Sequence, residues 1–424
     1  MKILTKPNRN IVDILSTQII EPGVSYVKSP YLINYKNAVF NTLTMEAILV
    51  EDEKKENDEL IRRWFYIPEY VDAGTISHFV RQRQLLTFMG PGSNKKVLYT
   101  IFTTTACNAD CTYCFEKGCE VLTMTPDIAT DVASYIIRTM DDRSAIHLKW
   151  FGGEPLFNKE AINIISDKLN ESNVNFVAGI ITNGDLLGNC SDEELKRWKI
   201  KTVQLTLDDI GDGYSTIKGL DNEAYERLKQ SIERLGCLGI RINIRIHLNA
   251  TTGIEPCIRV VEDLKDFKNV IMYPRLIYGE KSVENFKDIF KIKDKIVEVG
   301  KGQYNLPTYS SLTHCMADNS KMATITPIGE LSPCEHYAYG EHIYGSIYSK
   351  DRNEDILKKW SVREKYVTPD CKDCPLYPSC RKLIMCPAEG KCSEGYQYYQ
   401  IETIKRALRK KVEEINGRDS NTDN

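Results

Sequence analysis

The chain has 424 residues, of which 42% are hydrophobic and 27% are charged, and its formal net charge is −3. These values are typical of a globular protein long enough for two or three domains. A net charge so close to zero gives no electrostatic reason to expect a nucleic-acid partner. No apolar run approaches the roughly 20 residues of a membrane helix, and the N-terminal sequence MKILTKPNRN lacks the apolar core of a secretory signal. We therefore expect a soluble cytoplasmic protein with no membrane partner.

Fourteen cysteines make the composition unusual. Without an export signal the chain is expected in a reducing compartment, where disulfides rarely persist. Three cysteines fall between residues 107 and 114 and seven between 315 and 392, and such spacing lets one backbone segment present several thiolates to one metal centre. The other four stand alone, and for them we expect buried thiols that pack as small apolar side chains. They are Cys119, Cys190, Cys237 and Cys257.

Residues 1–94 predict a small α+β module. Tyr31–Leu49 has the pattern of short strands around Asn41-Thr42, and Asp52–Trp64 has the composition of a charged helix. Phe65–Asp72 and Ile76–Leu86 then lead into the next domain.

Between residues 95 and 305, apolar β-branched segments alternate with segments of helical periodicity. Six strands separated by helices imply right-handed crossovers and a parallel sheet. Their length and number favour a partial (β/α)6 TIM-like barrel over a closed eight-stranded one, and ligands of such sheets bind at the carboxyl ends of the strands. The predicted strands are Val97–Thr104, Ile146–Phe151, Asn175–Ile181, Thr202–Leu207, Ile242–Leu248 and Val270–Leu276, and the predicted helices include Pro126–Met140 with Thr125 as its N-cap, Lys159–Leu169 and Asn222–Leu235.

Turn residues and cysteines dominate residues 306–400, so we expect a domain folded around metal centres. The last segment, residues 401–424, completes a helix predicted over Tyr398–Ile415. Its end, Asn416–Asn424, is polar enough that we expect disorder.

The first cysteine group follows the first barrel strand with the spacing C-x3-C-x2-C. Three thiolates suit a [4Fe–4S] cluster that keeps one iron without a protein ligand, and an open position lets a substrate chelate the metal. A zinc site is the alternative, but it normally takes a fourth ligand nearby, and none is supplied. The ligands would be Cys107, Cys111 and Cys114.

This motif resembles the signature of the radical S-adenosylmethionine (SAM) superfamily, C-x3-C-x-aromatic-C, with Tyr113 at the aromatic position. The resemblance implies that the open iron binds the amino and carboxylate groups of the cofactor's methionine moiety. An electron from the reduced cluster then breaks a sulfur–carbon bond, giving methionine and a 5′-deoxyadenosyl radical that abstracts hydrogen from unactivated C–H bonds. An external donor such as flavodoxin or ferredoxin would supply the electron.

Further motifs after the barrel strands resemble the cofactor-binding elements of this family. Gly152-Gly153-Glu154-Pro155 resembles the GGEP element, whose backbone and Glu carboxylate receive the methionine ammonium; an ordinary turn is the alternative. Thr182-Asn183-Gly184 ends the third strand as in family members. His247 stands where relatives often have Asn, and we expect a satisfied core histidine there. The resemblance also assigns Thr206 and Asp208 to the ribose and Arg245 to the cofactor carboxylate.

The C-terminal cysteines resemble the SPASM extension, C-x9–15-G-x4-C, gap, C-x2-C-x5-C-x3-C, gap, C, which carries two auxiliary [4Fe–4S] clusters. The one departure is that five residues separate Cys380 and Cys386, where the pattern has three. A zinc ribbon is the alternative, although seven cysteines overfill one zinc. The resemblance assigns Cys371, Cys374, Cys380 and Cys392 to one cluster and Cys315, Cys334 and Cys386 to the other, which makes three [4Fe–4S] clusters in all.

The second auxiliary cluster lacks one ligand, because Lys321 stands where some relatives have a cysteine. A remote cysteine or histidine, or a substrate thiolate, would complete it. Glu335 follows Cys334, at the position where sulfatase-modifying relatives have an Asp proposed as a catalytic base; a surface carboxylate is the alternative.

Enzymes with this barrel and extension mostly modify peptides or proteins, and residues 1–94 resemble modules that bind the leader of a ribosomal precursor peptide. The alternative is that the module only caps the barrel. Our first hypothesis is a radical SAM/SPASM maturase of ribosomal peptides (RiPPs) that forms thioether crosslinks from cysteine. A second is an anaerobic sulfatase-maturing, formylglycine-forming enzyme. Hypotheses from other classes are a non-catalytic electron-transfer protein with several clusters and a zinc-binding protein.

Overall fold

The computed structural model of the chain describes residues 1–5, 15–55, 57–89, 96–140, 145–249, 252–277, 281–308, 316–318, 322–360, 371, 373–380 and 392–419. Cys315, Cys386 and Lys321, which bear on the second predicted auxiliary cluster, lie outside these residues. The described chain forms two compact units. One contains the described parts of residues 1–93, 304–315 and 362–424, and the other contains those of residues 94–303 and 316–361. The extension predicted from residue 306 is therefore divided between the two units.

The described residues of the N-terminal part of the first unit form short strands and helices. They are β1 (Lys2–Thr5), β2 (Tyr26–Lys28), β3 (Leu32–Tyr35), β4 (Ala38–Asn41), β5 (Glu46–Leu49), β6 (Tyr66–Pro68), α1 (Asn57–Arg62) and α2 (Ala73–Met89). Strands β1, β5, β4 and β3 form an antiparallel sheet in that order, and β2 pairs with β6. Phe40 and Ile48 of the larger sheet are fully buried and anchor its core. These elements are those of a small α+β module.

The charged helix predicted over Asp52–Trp64 is shorter than expected. The Asp52 carboxylate accepts hydrogen bonds from the backbone N–H groups of Lys54 (3.1 Å) and Lys55 (3.3 Å), which stabilises a turn where the helix was expected to begin. Trp64 has a φ of 65°, in the left-handed region, so the chain has left the helix there. The helix is confined to α1.

The second unit contains the six parallel strands predicted from the sequence, and the ends of each differ from the prediction by no more than two residues. They are β7 (Lys96–Thr104), β8 (Ala145–Gly152), β9 (Phe176–Thr182), β10 (Ile200–Leu207), β11 (Arg241–Leu248) and β12 (Val270–Leu276). Strands adjacent in the chain are adjacent in the sheet and run parallel. The predicted (β/α)6 arrangement is confirmed.

Helices connect these strands, and their caps follow the local sequence. Thr125 caps the first of them, since its hydroxyl oxygen accepts from the N–H of Ile128 (3.3 Å), and Pro126 occupies the first helical turn as predicted. The helices are α3 (Pro126–Thr139), α4 (Lys159–Glu171), α5 (Asp192–Arg197), α6 (Gly211–Lys218), α7 (Ala224–Cys237), α8 (Glu255–Leu264) and α9 (Val283–Glu298).

Alternate side chains of each barrel strand face the helices and the barrel interior. In β11, Ile242, Ile244 and Ile246 are fully buried, as expected for the set that packs against helices. Arg245 and His247 alternate with them and therefore face the interior. The inner face of β11 is thus polar near its carboxyl end.

In the described part of the chain, three further strands extend the barrel sheet beyond β7. They are β13 (Met322–Ile325), β14 (Glu330–Ser332) and β15 (Gly345–Ser346), and α10 (Glu354–Trp360) follows them. β13 runs parallel to β7, whereas β14 is antiparallel to both β13 and β15. This part of the cysteine-rich extension continues the barrel sheet, which its turn-rich sequence did not predict.

The C-terminal helix, α11 (Glu394–Asp419), packs against β3 and β4 of the first unit. Its apolar residues Ile404 and Leu408 are buried, and this packing stabilises a polar sequence as a helix. The disorder predicted from Asn416 onward is wrong for residues 416–419, which are helical, and residues 420–424 lie outside the described chain. None of the described helices is long and apolar enough to cross a membrane.

Candidate active site

The loop between β7 and α3 carries the three cysteines of the C-x3-C-x2-C motif, and we call residues 105–119 the cluster loop. The N–H of Cys114 donates to the carbonyl oxygen of Cys111 (3.2 Å), which closes a turn between the last two cysteines. Desolvation by the surrounding protein raises the pKa of Cys107 to about 11. Desolvation also raises the pKa of Cys111, and the nearby Lys218 ammonium opposes this shift. Binding of a metal centre would therefore displace protons from these thiols.

The three cysteines of the cluster loop are the predicted ligands of a [4Fe–4S] cluster, with zinc as the alternative. Among the described residues, no group of three or more His, Cys, Asp or Glu side chains is arranged to hold a metal ion. The choice between the two kinds of metal centre stays a prediction.

Two glycines bring the end of β8 against the start of the cluster loop. The N–H of Gly153 donates to the carbonyl oxygen of Thr104 (3.1 Å), and the N–H of Glu154 donates to that of Ala106 (2.9 Å). A Cβ at Gly152 would overlap the Thr104 carbonyl oxygen, and the φ of Gly152 is 125°, which disfavours any side chain. The glycine pair is required by the close approach of two backbone segments, and the alternative of an ordinary turn does not account for it.

Glu154 lies beneath this contact and is fully buried. Its carboxylate accepts from the backbone N–H groups of Leu156 (3.0 Å) and Asn183 (2.9 Å), and from the Thr182 hydroxyl, which lies 2.8 Å from Oε2. Burial nevertheless raises its pKa to about 7. The family resemblance assigns this carboxylate to the cofactor ammonium, whereas in the structure its partners are protein groups that join β8 to the end of β9.

Asn183 extends this connection to the cluster loop. Its side-chain amide donates to Oδ1 of Asn108 (2.8 Å) and lies 3.8 Å from the Sγ of Cys107. Asn108 in turn donates to the carboxylate of Asp185 (2.8 Å). The Thr182-Asn183-Gly184 motif therefore holds the segment between the first two cysteines.

Asp208, directly after β10, belongs to a buried charged network. Its Oδ2 accepts from the Tyr113 hydroxyl (2.6 Å) and lies 2.9 Å from Nζ of Lys218. Nδ1 of His247 lies 3.5 Å from Oδ1, an electrostatic contact rather than a well-formed hydrogen bond. Burial opposes ionisation, but the Lys218 ammonium, followed by His247 and Tyr113, lowers the pKa of Asp208 to about 2. Asp208, which the resemblance assigns to the ribose, is thus ionised and accepts a hydrogen bond from Tyr113, the aromatic residue of the cluster motif.

Thr206 and Arg245 lie side by side on β10 and β11. Nε of Arg245 is buried and has no hydrogen-bond partner within the described part of the chain. An unpaired buried donor is unfavourable, so the site fits an anionic group that enters the barrel. This observation agrees with the cofactor carboxylate that the resemblance assigns to Arg245.

Glu335 and Lys149 form an ion pair on the inner face of the barrel. Nζ of Lys149 lies 3.2 and 3.3 Å from the two carboxylate oxygens, and the Thr100 hydroxyl lies 3.5 Å from Oε2. The Tyr99 ring contacts Tyr135 of α3, so Tyr99 faces the helices. Thr100 is the next residue of β7 and therefore faces away from them. Glu335 is 19% exposed and ion-paired, so it is not a solvated surface carboxylate.

Three of the C-terminal cysteines, Cys371, Cys374 and Cys380, pack against an apolar cluster that includes Tyr31 of the N-terminal module. The N–H of Cys374 donates to the carbonyl oxygen of Cys371 (3.2 Å). Burial is the main cause of the raised pKa of Cys374, and charge on Cys392 and Cys371 raises it further. Four of the predicted cluster ligands therefore share one region of the first unit.

The remaining cysteines only partly follow the prediction. Cys190 and Cys257 are buried as expected, but Cys119 and Cys237 are exposed, so the prediction is wrong for those two. Cys237 is the last residue of α7 and Cys119 ends the cluster loop, where packing requires no apolar side chain. Cys334 is buried in the second unit, and both of its assigned partners lie outside the described residues.

The profile of the radical SAM superfamily matches residues 101–264, which run from β7 through α8 and contain the cluster loop and the residues that surround it. The barrel is a radical SAM domain. The chain is accordingly an enzyme of radical redox chemistry.

Curated relatives of the chain are GTP 3′,8-cyclases. The protein of Clostridium perfringens is 25% identical over 304 residues, which cover 62% of this chain and 89% of the relative. The protein of Clostridium acetobutylicum is 24% identical over 266 residues, 56% of this chain and 80% of the relative.

Solved radical SAM structures share the fold. The AdoMet-bound structure of anSMEcpe aligns with a TM-score of 0.57 at 16% identity, covering 75% of this chain and 98% of that one. Streptococcus suis SuiB bound to precursor peptide SuiA aligns with a TM-score of 0.50 at 14% identity, covering 90% of this chain and all of that one. At these identities the likeness is one of fold.

Two lysines of the radical SAM domain contribute to the site but were not predicted. Lys149 alternates with apolar residues in β8, and a cation on the inner face of a buried strand is a signal that could have identified it. Lys218 is the last residue of α6 and is followed by the C-cap Gly219. A lysine at this end of a helix ordinarily points into solvent and interacts favourably with the negative end of the helix dipole. Its burial follows only from the tertiary structure.

We expect Gly153→Ala to disturb the cluster loop. Its Cβ would overlap the carbonyl oxygens of Thr105 and Ala106, so one backbone segment must shift, at a cost on the order of 1–3 kcal/mol. Iron content and thermal stability should both fall. Gly188→Ala is the matched control, because its Cβ would meet nothing closer than Oγ of Ser231 at 4.0 Å. Equal iron contents in the two variants would contradict the close-approach argument.

Glu154→Gln should remove a pH dependence from the stability of the protein. Burial raises the pKa of Glu154 from 4.5 to about 7, so the folded state binds this proton more tightly than the unfolded state. The stabilisation is complete below the unfolded pKa and is lost as the pH rises through the folded one. Between about pH 6 and 7, the free energy of unfolding of the wild type should fall by about 1 kcal/mol relative to the variant. Urea denaturation without S-adenosylmethionine measures both slopes, and parallel slopes would refute the assignment.

Proposed function

We propose that this radical SAM enzyme is a peptide maturase that forms thioether crosslinks from cysteine in a ribosomally made precursor. The observation that carries the proposal is the cluster loop, which the ends of β8, β9 and β10 hold at the carboxyl edge of the barrel. Two solved structures of similar fold contain peptides: SuiB with precursor peptide SuiA, and anSMEcpe with the Cp18Cys peptide, the latter at a TM-score of 0.52. They support a peptide as the substrate class.

The proposed cofactors at this edge are S-adenosylmethionine and a [4Fe–4S] cluster. Cys107, Cys111 and Cys114 would hold the cluster. Arg245, whose Nε has no partner among the described side chains and backbone groups, would bind the cofactor carboxylate, and the neighbouring Thr206 would contact the ribose. When bound, the cofactor and its cluster would supply the radical that removes a hydrogen atom from a substrate carbon. The auxiliary clusters would accept the electron that is released as the C–S bond forms. A flavodoxin or ferredoxin would be the external electron donor.

We extend the proposal to two auxiliary [4Fe–4S] clusters. The shared apolar environment of the C-terminal cysteines in the first unit supports one metal centre there. A cluster with one ligand missing can bind the thiolate of a substrate cysteine, because coordination favours the deprotonated thiol. The proposed ligands are Cys371, Cys374, Cys380 and Cys392 for the complete cluster, and Cys315, Cys334 and Cys386 for the one that the substrate completes.

Glu335 is the proposed proton acceptor. Each thioether replaces one S–H and one C–H bond by a C–S bond, so a proton and an electron must leave the substrate in addition to the abstracted hydrogen atom. The ion pair with Lys149 at 3.2 Å holds the Glu335 carboxylate on the inner face of the barrel, where the reacting peptide would enter.

Cyclisation of GTP is a second candidate function, favoured by the sequence similarity to GTP 3′,8-cyclases. Arg245 of β11 and Arg275 of β12 both lie at positions that face the barrel interior. Two such guanidinium groups would suit a triphosphate. The pairing of Lys149 with Glu335 places a carboxylate on the same face, which opposes a highly charged anion. We therefore rank peptide modification first.

The test is an anaerobic incubation with S-adenosylmethionine, a reductant and a cysteine-rich peptide encoded by a neighbouring reading frame. We expect a product that has lost two hydrogen atoms for each link and whose linked cysteine no longer reacts with iodoacetamide. Mass spectrometry measures both properties. Replacing Cys107, Cys111 and Cys114 by Ala should remove about four irons and all product, because that cluster has four iron atoms.

The same incubation separates the alternatives. A product aldehyde that reacts with a hydrazide indicates formylglycine formation in place of a thioether. Conversion of GTP with no change in the peptide indicates the cyclase function. If S-adenosylmethionine is not cleaved by the iron-replete protein, the radical mechanism itself is wrong.

We also propose that the sheet of the first unit binds the leader of the precursor by strand addition to β3. Among the described strands, β3 and β1 are the two outer strands of this sheet, and an extended peptide can add to an outer strand. Holding the leader would raise the effective concentration of the reacting segment at the enzyme. The module also packs against the C-terminal cysteines, so a single substitution tests this role better than deletion of residues 1–90 does.

Asn34→Pro should weaken binding of the full-length peptide by at least about tenfold, since proline removes a backbone donor and obstructs strand pairing. Asn34 is exposed on β3, so its side chain contributes little to the core. Ile3→Pro on β1, the opposite outer strand, is the matched control and should bind normally. Fluorescence anisotropy measures affinity, and iron content verifies folding. Normal binding by Asn34→Pro would exclude leader addition at β3.

A further inference from the structure

Lys218 is a buried cation beside the cluster loop, with 3% of its surface exposed. Its Nζ donates to the hydroxyl oxygen of Tyr113 (2.6 Å) and lies 2.9 Å from Oδ2 of Asp208 and 5.1 Å from the centre of the Tyr113 ring. Burial of an ammonium is strongly unfavourable unless it is paired and hydrogen-bonded. Both requirements are met here by residues that the cofactor site already uses.

A second contact joins the same residue to the loop through the backbone. The carbonyl oxygen of Lys218 accepts a hydrogen bond from the N–H of Asp110 (2.7 Å), between the first and second cysteines. Gly219 then turns the chain away with a φ of 65°, and a Cβ there would lie 3.3 Å from the Cβ and backbone N of Asp110. The end of α6 is therefore packed closely against the cluster loop, so the Lys218 side chain has a fixed position.

We propose that Lys218 is a positioning residue that fixes residues 110–113 of the cluster loop and makes the cluster bound by Cys111 easier to reduce. The inference rests on the cluster assignment made under the proposed function. Reduction of the cluster by one electron adds one negative charge, and a buried cation nearby stabilises that charge because the surrounding dielectric constant is low. Loss of the ammonium would also leave the Asp208 carboxylate uncompensated, which acts in the same direction.

The test compares Lys218→Met, Lys218→Gln and Lys218→Arg in the iron-replete full chain. The measured quantity is the midpoint potential of the cluster whose electron paramagnetic resonance signal changes when S-adenosylmethionine is added. We expect a more negative potential in both neutral variants and a value near that of the wild type in Lys218→Arg. The rate of cofactor cleavage with a weak reductant should fall by at least about tenfold in the neutral variants and recover with a stronger reductant.

Lys117→Met is the matched control, because Lys117 is paired with Asp110 of the same loop (2.8 Å) but is exposed to solvent. Its removal should leave the potential unchanged, since solvent screens its charge.

Potentials equal to that of the wild type in the neutral Lys218 variants would overturn the proposal, as would equal shifts in Lys117→Met. If Lys218→Met does not take up iron, Lys218→Gln decides the outcome, because it keeps a donor for Tyr113 without the charge. A wild type whose signal does not respond to S-adenosylmethionine would refute the cluster assignment itself.

Discussion

The close approach of two backbone segments, the end of β8 and the residues before Cys107, is the constraint on which the site depends. Glycine at positions 152 and 153 lets the N–H of Glu154 reach the carbonyl oxygen of Ala106. The same approach places the Glu154 carboxylate under the end of β9, where it accepts from Thr182. The cluster loop therefore begins from a rigid frame of strand ends, and a reaction controlled by position requires such a frame.

Two buried carboxylates at this edge have pKa values shifted in opposite directions, and their partners explain the difference. Glu154 accepts hydrogen bonds from neutral groups alone, so burial dominates and its pKa rises to about 7. Asp208 is similarly buried, but the ammonium of Lys218 lies 2.9 Å away and its pKa falls to about 2. The charged pair of Lys218 and Asp208 therefore contacts the part of the loop that carries Tyr113, whereas the Glu154 carboxylate is held by neutral donors.

The sequence predicted the barrel well because its signals are local. Strands such as β11 alternate buried apolar residues with polar ones, and Thr125 and Pro126 specify the start of α3. The same locality explains what was missed. Lys149 and Glu335 are separated by 186 residues, and the partners of Lys218 come from the cluster loop and β10, so no window of sequence contains either contact. The strands β13–β15 were missed because they are short and lie in a segment rich in turn residues.

The site residues show a further limit of reasoning from motifs. The GGEP and Thr-Asn-Gly motifs were recognised from cofactor binding in related proteins, yet their contacts in this structure are with each other and with the cluster loop. A motif preserves both the residues that touch a ligand and those that hold the ligand-binding loop, and spacing alone does not distinguish them. Nε of Arg245 is buried and has no hydrogen-bond partner among the described residues, a property that only the tertiary structure reveals.

The N-terminal module and the C-terminal cysteines belong to one packed core, which constrains how the first unit can act. The Tyr31 hydroxyl donates to Ser77 of α2, the Thr42 hydroxyl donates to the carbonyl oxygen of Pro375, and His78 lies 3.2 Å from the Tyr377 hydroxyl. Segments more than 290 residues apart in the chain thus form the wall around the cysteines. These buried polar contacts join the N-terminal module to the segment that carries Cys371, Cys374 and Cys380, so the module contributes to the packing around these cysteines whatever else it binds. Tyr31 of this wall directly precedes β3, so a substitution on β3 tests leader binding only when iron content shows that the region around the cysteines is intact.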